Sequence, residues 1–496
     1  MIAAATAALL GWLAPVLAVA AERAPDLTLT GTLTRANHET YAEVPFRLPA
    51  GTVRLTVQFD YTGKAERSVI DLGLRDPQRF RGWSGGNKSR VVVEEADATP
   101  SYLPGPLPPG TWRLVLGAPN IRKTATAAYS AKIWFDRADA PFPGFATEPT
   151  RAGPGWYRGD LHMHTAHSDG SCLSRRGAKV PCPVFKTLEQ AVARGLDFIA
   201  VTDHNTTSQN GALRELAPYF DDLLLIPGRE ITTFKGHANV LGVVGPLDFQ
   251  LGSPRAPTLA KLLDEVEAAH GLISVSHPGL PSGEACMGCG WTADTDWRRI
   301  DAIEAVNGGS LAYLGAEGPL SGIPVWEKRL DAGLRITAIG GSDSHEAAAD
   351  PARPPSLGVP TTVVHASELS QAAVLEAIRR GHVFVDVWGV RDRLLEVEAR
   401  TGAARAEMGD ALPAAAGARV TVEVHVAGAP PGAVLSLAGD GARLAAAVDP
   451  VLGGAEARKA FELTSDGRSH WLRIDVRGAD GKLLILGNPI YLRPGS

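Results

Sequence analysis

Histidine and carboxylate residues recur in five short motifs along the middle of the chain. In order, these motifs read DLHMHTAHSDG, VTDHN, PGREITTFKGH, SVSHPG and GGSDSH. The residues that end apolar runs within them are His162, His164, His204, Glu230, His277, Asp343 and His345. Imidazole and carboxylate groups together suit zinc, iron or manganese, and no thiolate is needed. Eight or nine such groups in and beside the motifs are too many for one tetrahedral ion, so we expect two or three divalent metal ions.

The chemistry that such a set supports is hydrolysis. Glu230 is the one glutamate among these residues and is the expected bridge between ions. Two metals about 3.5–4 Å apart can hold a hydroxide between them and clamp an in-line displacement. We therefore expect a metal-bridging hydroxide as nucleophile, with His204 or His345 protonating the leaving group.

Short apolar runs position these residues. DLHMH, DFIAVTDH and DLLLIPGRE each end in candidate ligands, and helical patterns such as KTLEQAVARGL alternate with the runs between residues 156 and 390. This alternation indicates a parallel α/β barrel or sheet. Because the carboxyl ends of parallel strands share one face, we expect the candidate ligands to converge there.

The five motifs, in this order, resemble those of the PHP (polymerase and histidinol phosphatase) superfamily. The apolar N-terminus, the flanking β regions and the ending GNPIYL are most similar to its CehA/McbA-type metallohydrolase branch. The resemblance spans roughly residues 156–390. It implies a distorted, TIM-like (β/α)7 barrel with the metals at the carboxyl ends of its strands.

The resemblance also implies three groups of metal ligands, two of which share a glutamate. They are His162, His164, Glu230 and Asp343; then Glu230, His237 and His277; and finally Asp169, His204 and His345. Members with three metals often have His where Asp169 stands. Asp169 and His345 could instead hold substrate or pass protons.

The resemblance leaves the substrate class open. Most PHP resemblances imply phosphoesters, and the CehA/McbA branch allows a carbamate or a carboxylic ester. A phosphate group favours Arg or Lys near the metals, and Arg229 and Lys235 are the candidates. Arg229 adjoins Glu230 on a strand, where neighbouring side chains point to opposite faces, so we expect it to point away.

A rival interpretation is a non-catalytic protein that binds a surface or a glycan. The metal content of the purified protein would distinguish this binding protein from a metal-dependent hydrolase.

With 49 basic against 54 acidic residues the net charge is −5. There is no basic excess to hold a phosphate backbone, so nucleic acid is an unfavoured partner. A small-molecule ester or phosphoester is the expected partner, and the oligomeric state is left open.

The rest of the chain indicates export and flanking β domains. Residues 1–21 form an apolar run that ends in Ala18-Val19-Ala20, as in a signal peptide, which predicts a periplasmic or extracellular protein. Residues 22–150 and 391–496 consist of alternating runs and Gly/Pro turns, which predict an N-terminal β-sandwich and a C-terminal, immunoglobulin-like one. No stable membrane span is expected, because no other stretch approaches 18 uninterrupted apolar residues.

The four cysteines form two close pairs, Cys172 with Cys182 and Cys286 with Cys289. In an exported chain two local disulfides are favoured. A bridge between the two loops and a four-cysteine zinc site are the alternatives. Three further polar residues, Asp203, Asn239 and Asn307, are expected to orient ligands or to cap turns.

Overall fold

The computed structural model describes residues 23–146, 148–284, 286–439 and 451–495. The predicted signal peptide, residues 1–21, lies outside these ranges. Within them the chain forms 28 strands and six α-helices, so the protein is β-rich and multidomain. None of the helices in the described part is long and apolar enough to cross a membrane.

The N-terminal region consists of two antiparallel sheets around one core. Its strands are β1 Leu27–Leu33, β2 Tyr41–Leu48, β3 Arg54–Tyr61, β4 Val69–Arg75, β5 Phe80–Trp83, β6 Arg90–Glu94, β7 Gly110–Asn120 and β8 Ala127–Asp136. The strand orders are β1-β8-β3-β6 and β2-β7-β4-β5. Both sheets contribute to the core, with Leu55 and Val57 from one and Leu114 and Leu116 from the other. Trp112 is fully buried there.

The central region carries the motifs. Its strands are β9 Gly155–Asp160, β10 Ser171–Leu173, β11 Lys179–Pro181, β12 Phe198–Val201, β13 Leu224–Thr233, β14 Gly236–Leu241, β15 Leu272–Val275, β16 Ala302–Asn307, β17 Thr337–Gly341, β18 Thr361–Ala366 and β19 Val383–Asp386. Its helices are α1 Val184–Arg194, α2 Asn210–Leu216, α3 Leu259–Ala268, α4 Gly308–Leu314, α5 Ile323–Asp331 and α6 Gln371–Arg380. Gly195 and Gly381 end α1 and α6 in the left-handed conformation that glycine adopts readily.

The C-terminal region is divided between two sheets. Its strands are β20 Leu394–Thr401, β21 Ala404–Glu407, β22 Ala411–Ala414, β23 Arg419–Ala427, β24 Val434–Gly439, β25 Glu456–Thr464, β26 His470–Arg477, β27 Leu483–Gly487 and β28 Ile490–Pro494. One sheet has the order β21-β20-β23-β25. The other strands extend the central sheet through β27, which pairs antiparallel with β19. Buried residues of both sheets, such as Val422 and Ile474, share one core, while the second sheet is continuous with the central one. The C-terminal sandwich and the domain limits near residues 150, 156 and 390 stay predictions.

The predicted (β/α)7 barrel is wrong. The central strands lie in one mixed sheet of order β17-β16-β15-β14-β13-β12-β9-β18-β19, which continues into β27-β26-β28-β22. β14 runs antiparallel to both β13 and β15. Only two residues separate β13 from β14, whereas a parallel partner needs a crossover of a dozen residues or more. The motif PGREITTFKGH thus forms a hairpin instead of a strand followed by a helix.

The first and last motifs meet through pairing beyond the ends of β9 and β17. The amide of His164 donates to the carbonyl of Ser344 at 2.9 Å, and the amide of Asp343 donates to the carbonyl of His162 at 2.9 Å. The Ser342 hydroxyl donates to the carbonyl of His162 at 3.0 Å. Candidate ligands that lie about 180 residues apart in the chain are therefore neighbours.

Both disulfides are local. Cys172 pairs with Cys182 across the hairpin of β10 and β11, and Cys286 pairs with Cys289 in the loop after β15. The described residues contain no free cysteine. The prediction of two local bridges is confirmed, and the bridge between loops and the four-cysteine zinc site are excluded.

Candidate metal centre

Glu230 lies at the centre of a cluster of imidazoles. Its Oε1 is 3.1 Å from His277 Nε2 and 3.3 Å from His237 Nδ1. Its Oε2 is 2.9 Å from His204 Nδ1, 3.4 Å from His162 Nε2 and 3.7 Å from His164 Nε2. A single carboxylate thus faces imidazoles supplied by the ends of β9, β12 and β15 and by β14.

The other two carboxylates extend this cluster. Asp343 Oδ1 is 3.2 Å from His164 Nε2, 3.3 Å from His162 Nε2 and 3.6 Å from His345 Nδ1. Asp169 Oδ1 is 3.4 Å from His345 Nε2 and 3.7 Å from His204 Nε2. The structure therefore brings all nine residues singled out in the sequence into one connected cluster.

Within the cluster, several groups of ligand atoms are close enough to share a metal ion. In each group the atoms lie within 4.8 Å of one another: His162, His164 and Asp343; His162, Glu230 and His277; His164, Asp169, His204 and His345; and His237, His277 and Cys289. Two of these groups correspond closely to sets expected from the sequence. Cys289 is an addition that sequence reasoning did not place here.

Buried polar atoms in the cluster lack hydrogen-bond partners among the described residues. They are His162 Nε2, Glu230 Oε2, His237 Nδ1 and His277 Nδ1. A buried polar group without a partner is costly, and buried charges are normally paired or coordinate metals. Divalent cations beside Glu230 would satisfy the first three of these atoms, so the donor set fits the metal ions that the sequence predicts.

The electrostatics of the cluster keep its carboxylates ionised. Burial alone would raise the pKa of Glu230, but the charge of His162 and hydrogen bonds from neighbouring imidazoles hold the pKa well below its usual value. The pKa of Asp343 is likewise held well below its usual value, because His162 and His164 outweigh burial. Ionised carboxylates are the form that binds metal.

Glu304 is a buried acidic residue that sequence reasoning missed. Its Oε1 lies 2.6 Å from His162 Nδ1 and accepts from the side-chain Nδ2 of Asn239 at 3.2 Å. Its Oε2 accepts from the His277 amide at 3.0 Å and from the Asn307 side chain at 3.1 Å. Such a carboxylate fixes the tautomer and orientation of a metal-binding imidazole. The one signal in the sequence is an acidic residue inside the apolar run AIEAVN.

The other expected supporting residues hold backbone and loops. Asp203 accepts from the Thr165 amide at 2.7 Å and from the Ser168 hydroxyl at 2.6 Å, so it fixes the loop that carries Asp169 instead of the His204 ring. Asn307 caps α4 as well as contacting Glu304, because its Oδ1 accepts from the Gly309 amide at 2.8 Å.

Two of the candidate ligands have strained backbones. His277 has φ of 28° and Asp343 has φ of 55°, in the left-handed region that residues with side chains seldom adopt. Such strain concentrates at functional sites, where surrounding contacts hold it in place. For His277 one such contact is the hydrogen bond from its amide to Glu304.

The cluster has a closed end and an open end. Glu230, His162 and His277 are buried. The exposed side-chain fraction rises to 28% for His204, 40% for His345 and 59% for Asp169. A substrate therefore approaches from the side of Asp169, His204 and His345.

Arg229 points away from the cluster, as the alternation of strand side chains predicts. Its guanidinium donates to the carbonyl of Val243 at 2.9 Å, and burial lowers its pKa to about 9. Lys235, at the exposed turn between β13 and β14, is the other cationic residue that the sequence placed near the motifs.

A smaller group of potential ligands, His382, Glu407 and Asp410, lies elsewhere. His382 Nε2 is 3.2 Å from Asp410 Oδ1, and His382 Nδ1 is 3.6 Å from Glu407 Oε1. The side chains of both acidic residues are more than 40% exposed. Exposed ion pairs of this kind are common, so the group by itself indicates no site.

Comparisons with known proteins give a match to a solved structure of low sequence identity. No family model matches the chain, and no curated protein matches it. Among solved structures, it is similar to a two-domain protein from Bacteroides vulgatus described as containing a predicted PHP-like metal-dependent phosphoesterase. The two chains are 19% identical, the match covers 69% of this chain and 97% of that chain, and the TM-score is 0.37. Likeness at this level says nothing about activity.

Proposed function

We propose that this protein is an exported, metal-dependent hydrolase that acts on phosphoesters. The observation that supports the proposal is Glu230, a buried carboxylate whose two oxygens face five imidazoles. Oxygen and nitrogen donors in this number suit two or three zinc, manganese or iron ions. Two disulfides fit an oxidising compartment, in keeping with export.

In the proposed arrangement the chain holds each ion with a separate group of side chains. His162, His164 and Asp343 would hold one ion, and His237 and His277 a second, with Glu230 between them. Bound divalent metals would supply a water nucleophile at neutral pH and would polarise the oxygen on the phosphorus or carbon atom that is attacked. Glu304 keeps the His162 ring oriented for this task through its 2.6 Å contact.

If no third ion occupies the open end of the cluster, protonation of the leaving group is assigned to a histidine there. Burial lowers the pKa of His345, but Asp169 and Asp343 outweigh burial and raise this pKa to about 9. His345 thus carries a proton at neutral pH and faces solvent. His204, whose Nδ1 is 2.6 Å from the Thr232 hydroxyl, is the second candidate for this role.

A second candidate function is hydrolysis of a carbamate or carboxylic ester. The observation that favours it is the direction of Arg229, which is bound to the Val243 carbonyl and offers no charge to a phosphate group. Arginine beside the metals is the usual means of binding phosphate through two hydrogen bonds. Lys235 is then the cation on which a phosphoester would rely.

Turnover assays distinguish these functions. The purified protein, loaded with Mn²⁺ or Zn²⁺, would be given a phosphodiester, a phosphomonoester and an aryl carboxylic ester. Preferential turnover of a phosphorylated substrate, with weaker binding in Lys235→Met, supports the first proposal. Turnover of the aryl ester alone supports the second. A protein that retains no metal and is inert towards all three contradicts both and favours a binding protein.

Asp169 provides a test of a third ion. If Asp169 binds metal with His204 and His345, Asp169→Ala removes about one ion per chain and lowers activity at the same time, because a carboxylate can replace an imidazole on a borderline ion. Metal content by mass spectrometry of the loaded protein and kcat would be measured together. We expect both to fall.

Asp480→Ala is the matched control, since the side chains of Asp480 and Asp169 are 55% and 59% exposed. It should leave both quantities unchanged. Lower activity at full metal content in Asp169→Ala would instead assign Asp169 to substrate or proton transfer.

The pKa of His345 also predicts how the affinity for a third ion depends on pH. The metal displaces a proton, so affinity is greatest above the pKa of about 9 and falls as the pH drops below it. Between pH 9 and pH 7 the loss is roughly 50-fold, because His345 is already half protonated at pH 9 and each further unit approaches a tenfold loss. Competition with a chelating dye across this range would measure it. An affinity independent of pH would contradict the assignment of His345 as a ligand.

A further inference from the structure

The loop that contains the second disulfide lies against the metal cluster. Cys289 is fully buried, and its sulfur belongs to a group with His237 and His277 whose ligand atoms lie within 4.8 Å of one another. His237 also contacts the same loop, because its Nε2 is 3.3 Å from the Met287 carbonyl oxygen. Donation from Nε2 to that carbonyl leaves Nδ1, which faces Glu230, free to bind metal.

The position of this loop is fixed by close packing on the hairpin of β13 and β14. Gly288 has φ of 81°, and a Cβ at this position would lie 2.2 Å from the carbonyl oxygen of Thr233. Beyond the loop, the amides of Thr292 and Ala293 donate to the Lys235 carbonyl at 2.7 and 2.9 Å. The sulfur of Cys289 is thus held beside the two histidines whether or not it is bonded to Cys286.

We infer that Cys289 is a latent metal ligand, which the disulfide with Cys286 keeps away from the ion held by Glu230, His237 and His277. The inference rests on the proposed metal-dependent hydrolase. A disulfide sulfur is a poor ligand, whereas a thiolate binds zinc and cobalt strongly. Reduction therefore adds a fourth protein ligand to this ion.

The distances are compatible with this coordination. Zinc binds sulfur at about 2.3 Å and nitrogen at about 2.0–2.1 Å, so sulfur and nitrogen on one tetrahedral ion lie about 3.5 Å apart. The ligand atoms of Cys289, His237 and His277 start at most 4.8 Å apart and need to approach by about 1 Å. Glu230 lies outside that group and reaches the same ion through its contacts with His237 Nδ1 at 3.3 Å and His277 Nε2 at 3.1 Å.

A fourth protein ligand has a functional consequence. Catalytic zinc sites keep one coordination position open for water or substrate, while sites with four protein ligands are closed. With Glu230, His237, His277 and the Cys289 thiolate bound, this ion has no open position. The oxidised protein is then the active form, and the reduced protein is inhibited at this ion.

Breaking the disulfide, which frees the Cys289 sulfur to bind metal, is a two-electron reduction. A trialkylphosphine attacks the sulfur of Cys286, which is the more accessible of the two, and the S–S bond breaks. Water gives its oxygen to phosphorus, which leaves as the phosphine oxide, and its two protons pass to the two sulfurs. The Cys289 thiol then loses its proton when it binds the metal.

Cobalt spectroscopy tests this inference without relying on activity. The full chain would be treated with the phosphine, freed of it by gel filtration, and titrated with Co²⁺. Thiolate bound to Co²⁺ gives an intense charge-transfer absorption in the near ultraviolet, which imidazole and carboxylate ligands do not give. Visible ligand-field absorption independently reports Co²⁺ bound to the cluster.

Two matched variants distinguish the roles of Cys286 and Cys289. Cys286→Ser leaves Cys289 unable to form its disulfide and should show the ultraviolet band without reductant. Cys289→Ser should show no band in either state, and its turnover should not depend on the phosphine. Oxidised wild-type protein should show ligand-field absorption alone, and the reduced form should gain the band and lose turnover.

The possible failures are distinguishable. Ligand-field absorption without the ultraviolet band in both reduced wild type and Cys286→Ser would overturn the role of Cys289 but leave the metal centre intact. Persistence of the band in Cys289→Ser would overturn it as well. Absence of all Co²⁺ absorption would overturn the proposed hydrolase and this inference together.

Discussion

Glu230→Gln is expected to abolish turnover and to lower the metal content by more than one ion per chain. The amide keeps the size of the side chain but removes the charge that faces His162, His204 and His277. The metals contribute several kcal/mol to transition-state stabilisation. At about 1.36 kcal/mol per tenfold, losing that contribution lowers kcat/KM about 10³-fold or more.

The measurements are metal content after dialysis and kcat/KM at saturating added Mn²⁺. Glu230→Asp, which keeps the charge on a shorter side chain, should retain more metal than the glutamine variant. Glu396→Gln is the control, because Glu396 also lies beside an imidazole, 2.7 Å from His425 Nδ1, but on β20. Full activity and full metal content in Glu230→Gln would refute the bridging role.

Glu304→Gln is expected to weaken metal binding and turnover by about 10–100-fold, the usual effect of changing a residue that orients a metal ligand. Glutamine still accepts one hydrogen bond but can no longer hold His162, the His277 amide and two asparagines together. Because Glu304 touches His162 and the backbone of His277, the loss should affect two ions.

Competition with a chelator for Mn²⁺ measures the affinity of each of the two ions separately. The affinities for the first and second Mn²⁺ should both decrease in Glu304→Gln, while circular dichroism and the thermal transition report whether the fold is kept. Glu396→Gln again serves as the control for replacing a carboxylate beside an imidazole. Unchanged affinities in a folded Glu304→Gln would show that His162 needs no carboxylate to orient it.

Local sequence was sufficient to identify the candidate ligands. An apolar run followed by a polar residue marks the end of a buried strand, and His204, His277 and Asp343 each follow such a strand within three residues. The types of side chain then restrict the chemistry, because imidazole and carboxylate together favour a few metals. The local disulfides and the direction of Arg229 were predicted for the same reason, since short spacing and strand alternation decide them.

The architecture could not be predicted in the same way. β13 and β14 are almost entirely buried, and their sequences, LLIPGREITT and GHANVL, indicate strands without indicating their direction. A turn of two residues makes β14 antiparallel, and β27 adds the C-terminal strands to the sheet, so the expected barrel does not form. Direction and strand order depend on partners distant in sequence, which local patterns do not encode.

The same limit explains the two side chains that were missed. Glu304 contacts a histidine 142 residues earlier in the chain, and nothing near Glu304 in the sequence indicates that partner. Cys289 was assigned a disulfide from its spacing to Cys286, but its position beside His237 and His277 follows from the packing of Gly288 on the hairpin. The sequence by itself determined which residues can bind metal and where strands end. Only the tertiary structure decided which of them touch, because contacts between distant segments depend on sheet order and packing.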